Sequence, residues 1–399
     1  LSKKATKEVM KDINVKLLLK NIYYSEEGVN RASLAKKTHL SPATVTNLIA
    51  ELVEDGLIME TGNDISTGGR RPIILKINPD YKYIIGIKIG FGYINFMLSD
   101  LNGTVKEVIQ RFYDDLTVDT VIRELRVQHD EWLKKYAIPF LGIGVAVSGV
   151  VDAINGRIIN SYILNWKDIA LSERIRKELG LDVQILNDVD SFAQAQLWKS
   201  EAKEYRNAAF LTLGVGIGGS VILNRQLLSN YGGVTEFGHM TVVENGMKCN
   251  CGSNGCLEAE ASFRALTRKI NKRVENEDLH LLYKQMKNNE SSEIDFLKQA
   301  EMTENAVFKE VFQDFSRLIG IVIKNVINIF NPEYFLIGGE AMAFEKYFLD
   351  DTIKYARENT FNGLAEKIVF DRDKIGENAW TLGCIFKVIE QNILNSKKI

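Results

Sequence analysis

The chain has 399 residues, 45% hydrophobic and 26% charged, enough for two or three domains with a core each. Formal net charge is −2, but residues 1–77 hold 12 Lys and Arg against 9 Asp and Glu, so a mildly basic segment precedes an acidic body, as in a small nucleic-acid module joined to something else. Four cysteines exclude a disulfide scaffold, no apolar run approaches the ~20 residues of a membrane helix, and no secretory leader is visible, so the reading predicts a cytoplasmic protein; Leu1 in place of methionine is read as a processed or trimmed start.

The first elements are helical. Lys7 to Tyr24 predicts a helix with Val9, Ile13, Leu17 and Leu18 along one face. Asn30 caps a short helix through Lys37 that buries Leu34. Ser41 caps a third, with Pro42 at its first position and Val45, Leu48, Ile49 and Leu52 on its buried face; Gly56 ends it. The outer side near its start shows Ser41, Ala43, Thr44 and Asn47, small or hydrogen-bonding side chains suited to a major groove. Leu57–Glu60 and Ile73–Ile77 read as two strands around Ser66-Thr67-Gly68-Gly69-Arg70-Arg71-Pro72. Together these make a winged helix-turn-helix domain, residues 1–77, whose wing presents Arg70 and Arg71 to a minor groove. The competing reading is a helical protein-interaction module with a solvated basic loop.

After Asn78-Pro79 the pattern becomes α/β. Tyr83–Ile89, Gly90-Phe91-Gly92 and Ile94–Leu98 read as strand, glycine turn, strand. Phe210–Leu213, Gly214-Val215-Gly216-Ile217-Gly218-Gly219 and Val221–Leu223 repeat the unit, and Phe335–Gly339 is a third apolar strand ending in glycines. Helical patterns at Leu171–Leu179 and Ser316–Ile329 alternate with the strands. Two glycine hairpins on facing lobes predict a cleft for phosphates or a sugar.

Between the second hairpin and the later helices stand His239, Cys249, Cys251 and Cys256. One imidazole and three thiolates complete a tetrahedral zinc shell with no position left for water, so the metal is expected to be structural. Cys384 lies far off in a helical tail and is expected to be a plain buried thiol. Glu258, two residues past the last cysteine, is a carboxylate that the metal loop would aim.

The combination resembles the ROK family of repressors, open reading frames and sugar kinases, over nearly the whole chain. Leu213–Gly219, Gly232-Gly233 and Glu236-Phe237-Gly238-His239 are similar to the family signature, and Cys249–Glu258 to its zinc loop. Leu186-Asn187-Asp188 is similar to the Asn-Asp pair that meets the sugar. The segment through Gly69-Arg70-Arg71-Pro72 resembles the winged helix of the repressor branch, which the kinases lack. The resemblance implies a two-lobed, actin-like body over residues 78–399, with its zinc loop at 239–256. It further implies a dimer or tetramer, with a sugar in the cleft met by Asn187, Asp188, Glu236, His239 and Glu258 and a floor near Ser148-Gly149. One ring nitrogen of His239 would bind zinc while the other faces the ligand.

Departures from the kinases bear on activity. Their Asp-x-Gly-Gly-Thr loop is Lys88-Ile89-Gly90-Phe91-Gly92 here, so a cation stands where an acid would help organise magnesium. Phe91 adds bulk to that turn, and Val215 replaces a threonine in the second. Ile163-Leu164 stands in place of an Asn-Leu pair before Trp166, and Asn165 is out of register to replace it. Asp188, at the position of the kinase base, is intact, and a carboxylate accepts sugar hydroxyls without catalysis. The expectation is a non-catalytic, zinc-bearing repressor that binds operator DNA and answers to xylose or a similar sugar. The rivals are a working sugar kinase with an appended DNA-binding domain, and a repressor sensing a phosphosugar or a partner protein.

Overall fold

Residues 7–25, 27–63, 73–228, 235–288 and 291–395 are described by the computed structural model. Arg70 and Arg71 of the wing, and Gly232-Gly233 of the signature, lie outside them.

The chain opens with α1 (Lys7–Tyr23), α2 (Arg31–Thr38) and α3 (Pro42–Glu54), followed by β1 (Ile58–Asn63) antiparallel to β2 (Ile73–Ile77). The Asn30 side chain accepts the Ser33 amide at 2.8 Å to start α2, and Ser41 accepts the Thr44 amide at 3.1 Å to start α3. Val45, Leu48, Ile49 and Leu52 are buried, as their i, i+3, i+4, i+7 spacing demands. Gly56, at φ +79°, takes the left-handed turn into β1 that a side chain would resist.

The expected face of α1 is corrected. Leu18 is buried, but Val9, Ile13 and Leu17 are exposed; the buried row is Val15, Leu18, Leu19 and Ile22. At about 100° per residue Val9 stands half a turn from Leu18, so that set never shared one face.

Two five-stranded sheets follow. In the first, β3 (Tyr83–Gly90), β4 (Tyr93–Ser99) and β5 (Val105–Phe112) form a meander, then α4 (Val118–Tyr136) leads to β6 (Phe140–Val147). The small strands β7 (Val150–Asp152), β8 (Arg157–Ser161) and β9 (Trp166–Ile169) form a separate antiparallel sheet before α5 (Leu171–Leu179) and β10 (Val183–Asn187). The order is β10-β6-β3-β4-β5, with β6 parallel to both β3 and β10. Ile85, Ile87, Ile89, Ile143, Val145 and Ile185 face Val121, Leu125 and Trp132 of α4 in one core.

The helix α6 (Asp188–Lys199) follows β10 directly. The second sheet comprises β11 (Ala208–Leu213), β12 (Ile217–Leu223) and β13 (Gln226–Leu227). After the short α7 (Leu257–Ala261) come α8 (Phe263–Arg273), α9 (Glu277–Lys287), α10 (Glu293–Met302) and the long α11 (Ala306–Phe330). Then β14 (Tyr334–Gly338), α12 (Leu349–Asn359) and β15 (Val369–Arg372) complete the order β13-β12-β11-β14-β15. Its core is built on α11, whose Phe308, Phe312, Phe315, Ile319 and Ile323 are all buried; each such side chain contributes roughly 1.5–3 kcal/mol on burial. Each sheet therefore pairs one glycine-turned antiparallel hairpin with parallel strands. A last helix, α13 (Ala379–Ile389), ends in a π-helical turn at Glu390–Leu394.

The chain packs as two compact units, Leu1–Ser191 with Trp380–Ile399, and Phe192–Ala379. The winged helix belongs to the first: Tyr23 Oη donates to the Leu101 carbonyl at 3.1 Å, and α1 packs on the π-helical turn. Burial pushes the Tyr23 phenol well above its ordinary pKa. In the same unit α13 lies tightly on the first sheet, where a β-carbon on Gly144 would come within 2.4 Å of the Cys384 carbonyl. Cys384 is fully buried there, its Sγ on the Thr381 carbonyl at 3.1 Å, the plain thiol expected. No helix among the described residues is long and apolar enough to cross a membrane.

Candidate functional sites

The side of α3 expected to meet DNA presents Ser41, Ala43 and Asn47 exposed and Thr44 half-buried. Ser41 serves as the cap, and its hydroxyl also meets the Thr44 hydroxyl at 2.8 Å, so these two side chains are held together. Asn47 is one turn further along the same face.

In the first unit the end of β10 delivers Asn187 and the first turn of α6 delivers Asp188. Asn187 is engaged on both sides. Its Nδ2 donates to the Gly149 carbonyl at 2.8 Å, and its Oδ1 accepts the Val189 amide at 2.8 Å, which closes the helix start. Asp188 accepts the Ser148 hydroxyl and, at 3.0 Å, the Val189 amide. Both are half-buried. Gly149, at φ +125°, lies so close to β8 that a β-carbon would stand 2.3 Å from the Asn160 carbonyl. The expected floor at Ser148-Gly149 thus meets the Asn-Asp pair through two direct bonds. The role of Ser148 as the partner of Asp188 had no signal in the sequence, because forty residues separate them.

The first glycine turn differs from expectation in one respect. Phe91 is 73% exposed and leaves the turn open on its side. The ring lying against it is that of Tyr93, which a β-carbon on Gly90 would meet at 2.2 Å. Lys88, on the same strand, points its ammonium over the Trp380 ring.

In the second unit the Glu236–His239 segment sits on the second hairpin. Phe237 covers Gly219, and a β-carbon on Gly238 would meet the Ile217 carbonyl at 2.1 Å. Glu236 is exposed, and its carbonyl accepts the His239 amide at 3.0 Å. Glu258 is half-buried and its Oε2 accepts the Ile217 amide at 3.2 Å, so this expected sugar ligand also grips the turn. A β-carbon on Gly214 would overlap the carboxylate of Glu340, an exposed acid 126 residues away along the chain and so without a local sequence signal. A negative charge there opposes a phosphate at the same turn.

His239, Cys249, Cys251 and Cys256 bring their ligand atoms within 4.8 Å of one another. His239 Nδ1 is 3.5 Å from Cys249 Sγ, and the sulfurs of Cys251 and Cys256 are 3.6 Å apart. A tetrahedron with zinc bond lengths of about 2.0–2.3 Å needs edges of roughly 3.5–3.8 Å, so these two edges match such an ion and the donor set suits it. Burial pushes the Cys256 thiol up to about 12 and raises Cys249, while a backbone hydrogen bond at Ser253 brings Cys251 down to about 7. A bound cation would draw all three to thiolates.

Comparison with known proteins places the chain in a family. The ROK family model matches residues 84–390, and a winged helix-turn-helix DNA-binding model matches residues 12–59. The chain is 31% identical over 391 residues to the xylose repressor of Caldicellulosiruptor bescii, covering 96% of each chain. Among solved structures, a ROK family transcriptional regulator, homolog of the E. coli MLC protein, superposes with a TM-score of 0.81 at 24% identity. That match covers 97% of this chain and 98% of the other. A ROK family glucokinase from Streptomyces griseus, in complex with glucose and AMPPNP, gives a TM-score of 0.63 at 22% identity over 76% of this chain and 97% of that one. With the family match over most of its length and a DNA-binding helix at its start, this chain belongs to the ROK family.

Proposed function

We propose that the chain is a sugar-responsive transcriptional repressor. The observation that carries the reading is the pairing of a winged helix, built on one unit with the Asn187-Asp188 pair, with a glycine turn that has exchanged its acid for Lys88. Operator DNA is met by Ser41, Ala43, Thr44 and Asn47 of α3 and by Arg70 and Arg71 of the wing. The sugar is met by Asn187, Asp188, Glu236, His239 and Glu258, and the likeness to the xylose repressor favours xylose or a related sugar. Zinc occupies the His239-Cys249-Cys251-Cys256 cluster, the protein works in the cytoplasm, and a homodimer or homotetramer reads two operator half-sites. Residues 1–77 act as the DNA-binding domain and 78–399 as the sugar-binding body.

No phosphoryl transfer is expected. Lys88 removes the acid that would organise magnesium, Val215 removes a hydroxyl, and Glu340 opposes phosphate at the second turn. Fluorescence anisotropy on operator DNA, with xylose, other free sugars and their phosphates titrated in, tests the proposal. Release or tightening by a free sugar supports it. A response to phosphosugars alone would replace the free-sugar reading, and formation of sugar phosphate from ATP would replace it with the kinase.

A further inference from the structure

Glu260 lies two residues beyond Glu258 on α7 and is 6% exposed. A carboxylate so buried requires partners, and it has them on two sides. Its Oε1 accepts the Met247 amide at 2.6 Å, and Met247 precedes Cys249 by two residues in the metal loop. A β-carbon on Gly246 would come within 2.4 Å of that oxygen, so the loop backbone runs directly against the carboxylate. On the other side, Lys269 of α8 sits 3.6 Å from Oε2 and donates to the Glu260 carbonyl at 2.8 Å. Arg268 donates to the Ala259 carbonyl at 3.0 Å. These two cations satisfy carbonyls that a five-residue helix leaves open at its end.

We infer that Glu260, held by Lys269, is a positioning residue for the metal loop: it fixes the Met247–Cys251 backbone relative to Cys256 before the ion arrives. The inference rests on metal binding by the His-Cys cluster. It goes beyond it in placing the organising group outside the ligand set. Met247 is held at both ends, because its carbonyl accepts the Gly255 amide at 2.8 Å, next to Cys256. The two segments that bring cysteines to the cluster are thus registered by protein hydrogen bonds. α7 then ties together two devices, with Glu258 on the second glycine turn and Glu260 on the metal loop.

The test is zinc affinity by chelator competition on the full chain, with circular dichroism as a check on folding. Groups that orient metal ligands typically change affinity about 10–100-fold when removed. Glu260→Ala is expected to weaken zinc binding at least about 10-fold. Glu260→Gln keeps an oxygen for the Met247 amide and is expected to stay much closer to the unaltered protein. Unchanged affinity in Glu260→Ala overturns the inference, and so does an equal loss in a folded Glu260→Gln. If Glu260→Ala does not fold, amide exchange on the unaltered protein decides. The Met247 amide stays protected after the metal is stripped if Glu260 holds it, and rapid exchange there overturns the inference. Absence of any metal binding by the unaltered protein would instead sink the metal site itself.

Discussion

Lys88 Nζ stands 4.3 Å from the centre of the Trp380 ring. A lysine over the face of an indole is held by the ring's negative face, and tryptophan is the strongest aromatic partner for a cation. The strand that would place an acid near magnesium in a kinase therefore ends in a fixed positive charge on an aromatic surface. The consequence is a turn unsuited to a metal-bound nucleotide. Incubation with ATP, magnesium and a sugar panel is expected to yield no sugar phosphate. Lys88→Asp alone should not create activity, because Val215 and Glu340 remain. A coupled kinase assay checks both statements, and turnover by either protein contradicts them.

Asp188→Asn should weaken or abolish the sugar response while operator affinity stays within about twofold. The amide keeps the size of the side chain but halves its capacity to accept hydroxyls. Ser148→Ala should give a smaller loss in the same direction, since Ser148 donates to Asp188. Anisotropy titrations with and without sugar separate the two effects. An Asp188→Asn protein that responds normally would remove this residue from the sugar site.

Elemental analysis is expected to find one zinc per chain, and Cys251→Ser should lose it. Chelation from a solution held at 100 times the dissociation constant should cost about 2.7 kcal/mol of stability. In metal-free protein the thiols separate by environment. Cys251 is exposed and drawn down to about 7, so it is largely thiolate at pH 8, and its contribution to folding is lost as pH falls through 7. Iodoacetamide should therefore label Cys251 first at pH 8, more slowly at pH 6, and not in the zinc-loaded protein. Cys384, buried and pushed up to about 12, should label last. Mass spectrometry of the labelled peptides reads the order.

Arg70→Ala with Arg71→Ala should weaken operator binding by roughly 1–3 kcal/mol in total, with a shallower dependence on salt. Asn47→Ala should instead change which base is preferred, because that side chain stands exposed on the face of α3 one turn from its capped start. Selection of binding sites from a randomised operator library distinguishes the outcomes. Deletion of residues 1–77 without loss of operator affinity would refute the winged-helix assignment.

Gly144→Ala should destabilise the first unit by about 1–3 kcal/mol or more. The added carbon would lie 2.4 Å from the backbone carbonyl of Cys384, and backbone cannot rotate aside as a side chain can. Denaturant unfolding followed by tryptophan fluorescence measures the change.

What was legible in the sequence is local or closely spaced. Ser41 before Pro42, the i, i+3, i+4, i+7 row of α3, and strand–glycine–strand units all report on neighbours a few residues away, where chain geometry alone sets the contact. His239, Cys249, Cys251 and Cys256, which could hold a metal, fall within eighteen residues, so their shared chemistry shows in the sequence itself. On α1 an apolar residue every fourth position from Val9 to Leu17 suggests a stripe, whereas the buried row is Val15, Leu18, Leu19 and Ile22.

Sequence alone therefore determined the helix caps, the glycine turns, the His-Cys cluster as a candidate metal site, the lysine at position 88 and the family. Tertiary structure decided what those residues face. Trp380 lies under the ammonium of Lys88, Ser148 engages Asp188, and Glu340 stands against Gly214 of the second turn. The physical reason is distance along the chain. Hydrogen-bond and packing partners separated by tens or hundreds of residues meet only through the pairing of strands and the seating of helices, and no local pattern encodes which of many similar side chains will arrive.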